Sequence, residues 1–76
     1  RVLRMWMANT YLPLDILFIA SDGRIVHIVE NAIPLSRTTI SSRRRARAVL
    51  ELNAGTASRL NINVGDRVIY KGLRMH

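Results

Sequence analysis

The chain has 76 residues and a mass of 8.6 kDa, which leaves room for one small domain. Twelve basic against five acidic side chains give a net charge of +7, and the absence of cysteine excludes disulfides, thiolate zinc sites and a thiol nucleophile. An apolar content of 49% is that of a folded chain, not a disordered one. A chain this short buries only about 60% of its unfolded surface, so marginal stability is expected.

The elements read mostly as strands. Residues 2–7 form the first, and residues 8–12 form a turn region with Pro13 at its edge. Residues 14–20 read as a buried strand rich in Ile, Leu and Phe. The apolar stretch from Leu12 to Ala20 is interrupted by Asp15 and is far too short to span a bilayer. Ser21-Asp22-Gly23 is a hairpin signal, because Asp-Gly supplies the positive φ of a tight turn. Residues 24–32 are the antiparallel partner strand, ended by Pro34. Residues 35–45, rich in Ser, Thr and Arg, read as a polar loop. Residues 46–52 read as another strand, with Val49-Leu50-Glu51-Leu52 as its core. Residues 54–60 suit a short helix with Asn53 as N-cap and Asn61 as a left-handed C-terminal cap. Gly65-Asp66 is a turn feeding a last strand through Tyr70, the Asp66 carboxylate accepting backbone amides. These elements make a mostly β domain with a short helix, expected as a small β-barrel-like or curved antiparallel sheet.

Asp15 is the residue that this pattern does not explain. Asp is depleted in strands, and a buried carboxylate is costly without partners. Asp15, Asn9, Thr10, Asn31 and Glu51 form a candidate polar cluster if their strands share a sheet. Two nearby carboxylates would push one pKa up, as acid–base chemistry requires. The favoured reading is structural, with Asn9 and Thr10 bonding turn backbone and Asp15 or Glu51 meeting Arg or backbone donors. Trp6 could stack on a ligand, but a lone Trp is expected in the core. His27 and His76 have no metal-ligand spacing, and no phosphate loop, dinucleotide fingerprint or nucleophile elbow is present.

Eleven of the twelve basic residues are Arg. Arg43, Arg44, Arg45 and Arg47, with Arg37 nearby, could bind phosphate or an acidic partner. The favoured reading is a solvated basic loop, since the run lacks the interleaved aromatics that stack on single-stranded bases.

Trp6-Met7-Ala8-Asn9-Thr10, Pro13-Leu14-Asp15-Ile16-Leu17-Phe18, Asp22-Gly23-Arg24-Ile25-Val26, Asn31-Ala32, Pro34, Val49-Leu50-Glu51-Leu52, Ala54-Gly55 and Gly65-Asp66-Arg67-Val68 occur in order. Together they resemble the family known as domain of unknown function 192. The resemblance implies a compact β-rich domain, supplies no activity and carries over no catalytic residue. It also implies that residues 1–76 match the C-terminal part of a larger family domain. The chain departs from the family pattern at Ala8, where Lys is usual, at Asn61, where Gly is frequent, and in its more basic loop, which lacks the expected Pro.

The resulting expectation is a non-catalytic binding or structural module, with no cofactor and no metal. The alternative is a nucleic-acid or anion binder acting through Arg43–Arg47, and an enzyme ranks last. A homodimer is expected, with Met5, Trp6, Met7 and the edge of residues 2–7 as its contact.

Overall fold

The computed structural model describes residues 1–69. Five strands and one helical turn follow in order: β1 (Val2–Met5), β2 (Leu14–Ile19), β3 (Ile25–Ala32), β4 (Ile40–Arg45), β5 (Ala48–Asn53) and α1 (Thr56–Arg59). Among the described residues they form two antiparallel sheets, β1-β4 and β3-β2-β5, which do not close into a barrel.

β2 is the centre of the fold because it is apolar on both faces. Ile16 and Phe18 face a layer that contains Met7, Ala32 and Ala46, with Leu3, Met5 and Ile40 of the β1-β4 sheet packed against it. Leu17 and Ile19 face the opposite way, onto Ile25 and a layer of Ile28, Leu50, Leu52, Ile62 and Val68. A strand buried on both sides reads as a continuous apolar run, which is why residues 16–19 show no polar alternation. Phe18 is fully buried, and its truncation to Ala is expected to cost about 3–5 kcal/mol.

The Asp-Gly hairpin joins β2 to β3 as expected, with Leu17 opposite Ile28 and Ile19 opposite Ile25. The loop closes through Ala20 N–H to the Arg24 carbonyl and Gly23 N–H to the Ala20 carbonyl, both at 2.9 Å. Gly23 has φ +89°, and a Cβ there would stand 3.2 Å from the Val68 carbonyl oxygen, so both its conformation and its surroundings favour glycine.

Several expectations need correction. The segment expected as a polar loop contains a strand, β4, paired with β1. Its arginines are solvent-facing, so its sequence lacks the apolar alternation that marks a half-buried strand. The helix is one turn, Thr56–Arg59, and its N-cap is Gly55 at φ +91°, not Asn53, which closes β5. Asn61 takes the left-handed conformation expected of it, with φ +53°. At Gly65-Asp66 the expected turn is present, and Asp66 accepts the Asn63 amide at 2.8 Å. The strand expected after it is reduced to a single bridge between Arg24 and Arg67 among the described residues; Tyr70 lies outside them.

Both sheets carry bulges. Between the pairs Leu14–Ala32 and Ile16–Val29, two steps along β2 match three along β3. Between Val2–Arg45 and Arg4–Ser41, two steps along β1 match four along β4. A bulge leaves backbone groups out of the ladder, and these two bulges place the buried polar side chains.

Candidate functional site

Asp15 and Ser42 are the two polar side chains buried in the described core, both with no solvent exposure. Each lies at a bulge. Asp15 Oδ1 accepts the amide of Asn31 at 3.0 Å, and Asn31 is the bulge residue with φ +54°. The other carboxylate oxygen, Oδ2, accepts the amide of Ala57 at 2.9 Å. Ala57 is the second residue of α1, and the N-cap Gly55 has no side chain to reach it. Asp15 therefore does for α1 what an N-cap side chain normally does, from a strand distant in sequence. Ser42 Oγ accepts the Leu3 amide at 3.0 Å and donates to the Arg44 carbonyl, spanning the second bulge.

Burial by itself would raise the pKa of Asp15. The backbone amides of Ala57, Asn31, Gly55 and Thr56 outweigh that and hold it below the ordinary carboxylate value. The carboxylate is thus kept ionised, the opposite of the raised pKa that a shared pair of acids would give. Its expected partner in such a pair, Glu51, is exposed and stands opposite Ile16, whereas Asp15 stands opposite Leu52. Adjacent positions on a strand point to opposite faces, so the sheet separates the two carboxylates.

The remaining members of the cluster do not converge on Asp15. Asn9 is exposed in the turn before β2. Thr10 holds that turn through its backbone: its amide donates to the Met7 carbonyl at 3.0 Å, and its carbonyl accepts the Leu35 amide at 3.0 Å. Asn31 joins Asp15 through its main chain only, in the contact described. Trp6, expected in the core, is 51% exposed. It lies one residue past β1 and continues that strand's alternation, in which Leu3 and Met5 pack inward and Val2 and Arg4 do not, and the Arg37 guanidinium lies over its ring at 5.8 Å. Met7 is fully buried and Met5 packs on the core, so of the three named contact residues Trp6 alone presents a large apolar surface.

The basic run is divided by the fold. Arg37 sits on Trp6. Arg45 and Arg47 line a cleft with Arg1 and Leu3. Arg43 and Arg44 line a different and larger one with Arg24, His27 and Gly65. Sequence reasoning missed Ser42, Arg24 and His27. Ser42 carries no signal beside Ser41, and Arg24 and His27 come near Arg43 only because β3 and β4 approach each other. Among the described residues, no cluster of three or more His, Asp or Glu could hold a metal ion, and no helix is long and apolar enough to cross a membrane.

Residues 1–70 match the model of the domain of unknown function 192 family, described as an uncharacterized ACR. A crystal structure from Sinorhizobium meliloti 1021, provisionally named a transcription regulator, is similar at 61% identity and a TM-score of 0.86, over 88% of this chain and 52% of that one. A protein of unknown function from Novosphingobium aromaticivorans DSM 12444 is similar at 41% identity and a TM-score of 0.88, over 92% of this chain and 50% of that one. The chain thus spans about half the length of each. No curated protein matches. With a match over nearly its whole length, the chain belongs to the domain of unknown function 192 family.

Proposed function

We propose that this domain is a non-catalytic binding module whose contact surface is an apolar rim, and that the rim is taken up by a second copy of the chain. The observation that carries the reading is the exposure of five large side chains on two joined segments: Trp6 51%, Leu35 51%, Leu12 66%, Ile33 71% and Tyr11 79%. The segments are tied by Leu35 N–H to the Thr10 carbonyl and by Met7 N–H to the Ser36 carbonyl at 3.1 Å. Single exposed apolar residues are ordinary, but five gathered on two joined segments favour a contact site.

Leu35 supports the same reading. Its φ is +63°, a left-handed conformation that costs a residue other than Gly or Asn about 1–2 kcal/mol. Strain of that kind persists where the surroundings impose it, and it gathers at binding surfaces. A second copy suits the rim because a two-fold interface lets the same apolar patch cover itself. A standard interface takes about 800 Å² from each partner, within reach of a rim of five large side chains.

The test is the variant Tyr11→Ser/Ile33→Ser, compared with the unaltered chain for mass in solution and circular dichroism. The reading expects the variant to be monomeric and folded. A variant that keeps the dimer would remove the rim from the interface.

A further inference from the structure

One open cleft does not belong to the rim. It measures about 800 Å³ and lies where β3 approaches β4, lined by Arg24, His27, Arg43, Arg44, Ser42 and Gly65, among others. Three arginines and a histidine thus line one open cleft, and no Asp or Glu is among the residues that line it. The cleft lies within the range of about 300–1,000 Å³ usual for ligand sites.

The disposition of its charges is specific. Arg24 is held from two sides: its Nη1 donates to the Gly65 carbonyl at 3.3 Å, and its Nε lies 3.6 Å from Asp22 Oδ2. His27 stacks on Phe18 with ring centroids 6.0 Å apart, which anchors the imidazole to the core. Arg43 sits in the β4 bulge at φ +61°, a conformation that arginine adopts only at a cost. The Ser42 hydroxyl is committed to the Leu3 amide and the Arg44 carbonyl, so the bulge that bends the chain under Arg43 and Arg44 is fixed from inside. Arg43, strained at its bulge, and its neighbour Arg44 thus border the same cleft as Arg24 and His27, and all three arginines are exposed to solvent.

We infer that this cleft binds the phosphoryl oxygens of a polyanionic chain. Guanidinium forks match phosphoryl oxygens bidentately, and a group of arginines suits several successive phosphates better than one carboxylate. The chemistry is shared by the backbone of a single-stranded nucleic acid and by free polyphosphate. Base stacking on an aromatic platform is not involved, since the cleft is lined by no Phe, Tyr or Trp. The inference is independent of the rim.

The experiment titrates the full chain with a fluorescein-labelled oligothymidylate of about 15 nucleotides, the upper end of the usual single-strand site size, and, separately, with inorganic tripolyphosphate, at several salt concentrations. Three variants are compared with the unaltered chain: Arg43→Asn/Arg44→Ser, in which Asn tolerates the left-handed position; Arg24→Gln, on a different segment; and Arg45→Ser/Arg47→Ser in the neighbouring cleft. Thermal melts establish that each is folded. The expected result is at least tenfold weaker binding of both probes in each of the first two variants, and less than threefold in the third. The slope of log affinity against log salt for the oligonucleotide should become shallower by about 0.7 for each phosphate that is no longer neutralised. Competition separates the sources: tripolyphosphate that displaces the oligonucleotide at matched phosphate concentration assigns the cleft to free polyphosphate, and failure to displace assigns it to the longer strand. Equal weakening by all three variants would mean diffuse charge and overturn the inference, as would no binding of either probe at low salt. Tyr11→Ser/Ile33→Ser should bind both probes normally, so failure of the rim reading leaves this result unchanged.

Discussion

Asp15 on β2 and Ala57 in α1 are 42 residues apart in sequence and joined by a 2.9 Å hydrogen bond from the Ala57 amide to the Asp15 carboxylate. The same carboxylate takes the Asn31 amide from the β3 bulge. One side chain therefore ties the helical turn and the neighbouring strand to the central strand, and has no oxygen left over for chemistry.

Substituting Asn for Asp15 should destabilise the fold by about 1.5–3 kcal/mol, the usual size of a hydrogen bond to a charged group. Asn keeps one acceptor oxygen but turns an NH₂ group toward the second amide. Urea unfolding measures the difference. Glu51→Gln, on the exposed face, should stay within about 0.5 kcal/mol of the unaltered chain. An unchanged midpoint in Asp15→Asn would contradict the lock and return Asp15 to the candidate site residues.

The pH dependence follows from the same contacts. The folded pKa of Asp15 is lowered, so it lies below the unfolded value of about 3.9. The carboxylate's contribution is then fully present above the unfolded value and is lost as pH falls through the folded one. Urea midpoints taken from about pH 5 to about pH 2, a window that brackets this transition, should fall more steeply for the unaltered chain than for Asp15→Asn. Parallel curves would mean that Asp15 does not carry the linkage.

Ser42→Ala removes the acceptor of the Leu3 amide inside the β1-β4 sheet. A buried donor left without a partner costs about 1–3 kcal/mol. Ser41, whose hydroxyl accepts the Arg43 amide at an exposed position, should tolerate the same substitution within about 0.5 kcal/mol. Comparison of the two thermal melts separates the buried hydroxyl from the exposed one.

Gly23→Ala and Gly55→Ala meet the same backbone strain but different surroundings, at φ +89° and +91°. Each should lose about 1–2 kcal/mol from the left-handed conformation. Gly23→Ala should lose more, because its Cβ meets the Val68 carbonyl oxygen at 3.2 Å whereas nothing lies within 4 Å at Gly55. Equal losses would mean that the close approach at Gly23 relaxes freely.

Parts of this fold are legible in the sequence, and the rest is hidden for identifiable reasons. The Asp22-Gly23 hairpin is readable because its signal is local: a turn dipeptide between two apolar runs. Asp15 is readable as a conflict, a carboxylate in a core strand, but its partners are main-chain amides, which no residue type announces. β4 is hidden because Ser41, Arg43, Arg44 and Arg45 give it the composition of a loop, and the fold makes it a strand by pairing it with β1. Residue type alone puts Trp6 in the core. Its position one residue past β1, continuing that strand's alternation, is what turns it outward, and that depends on which face the second sheet covers. The grouping of Arg43 and Arg44 with Arg24 and His27 is a product of β3 lying near β4 and has no counterpart in sequence spacing.

The claim that the rim joins two copies is tested most directly by sedimentation equilibrium of the unaltered chain across tens of micromolar, a range in which weak dimers are still populated. The account predicts a mass that rises with concentration toward twice the 8.6 kDa of one chain. A folded species that stays at 8.6 kDa throughout would contradict it.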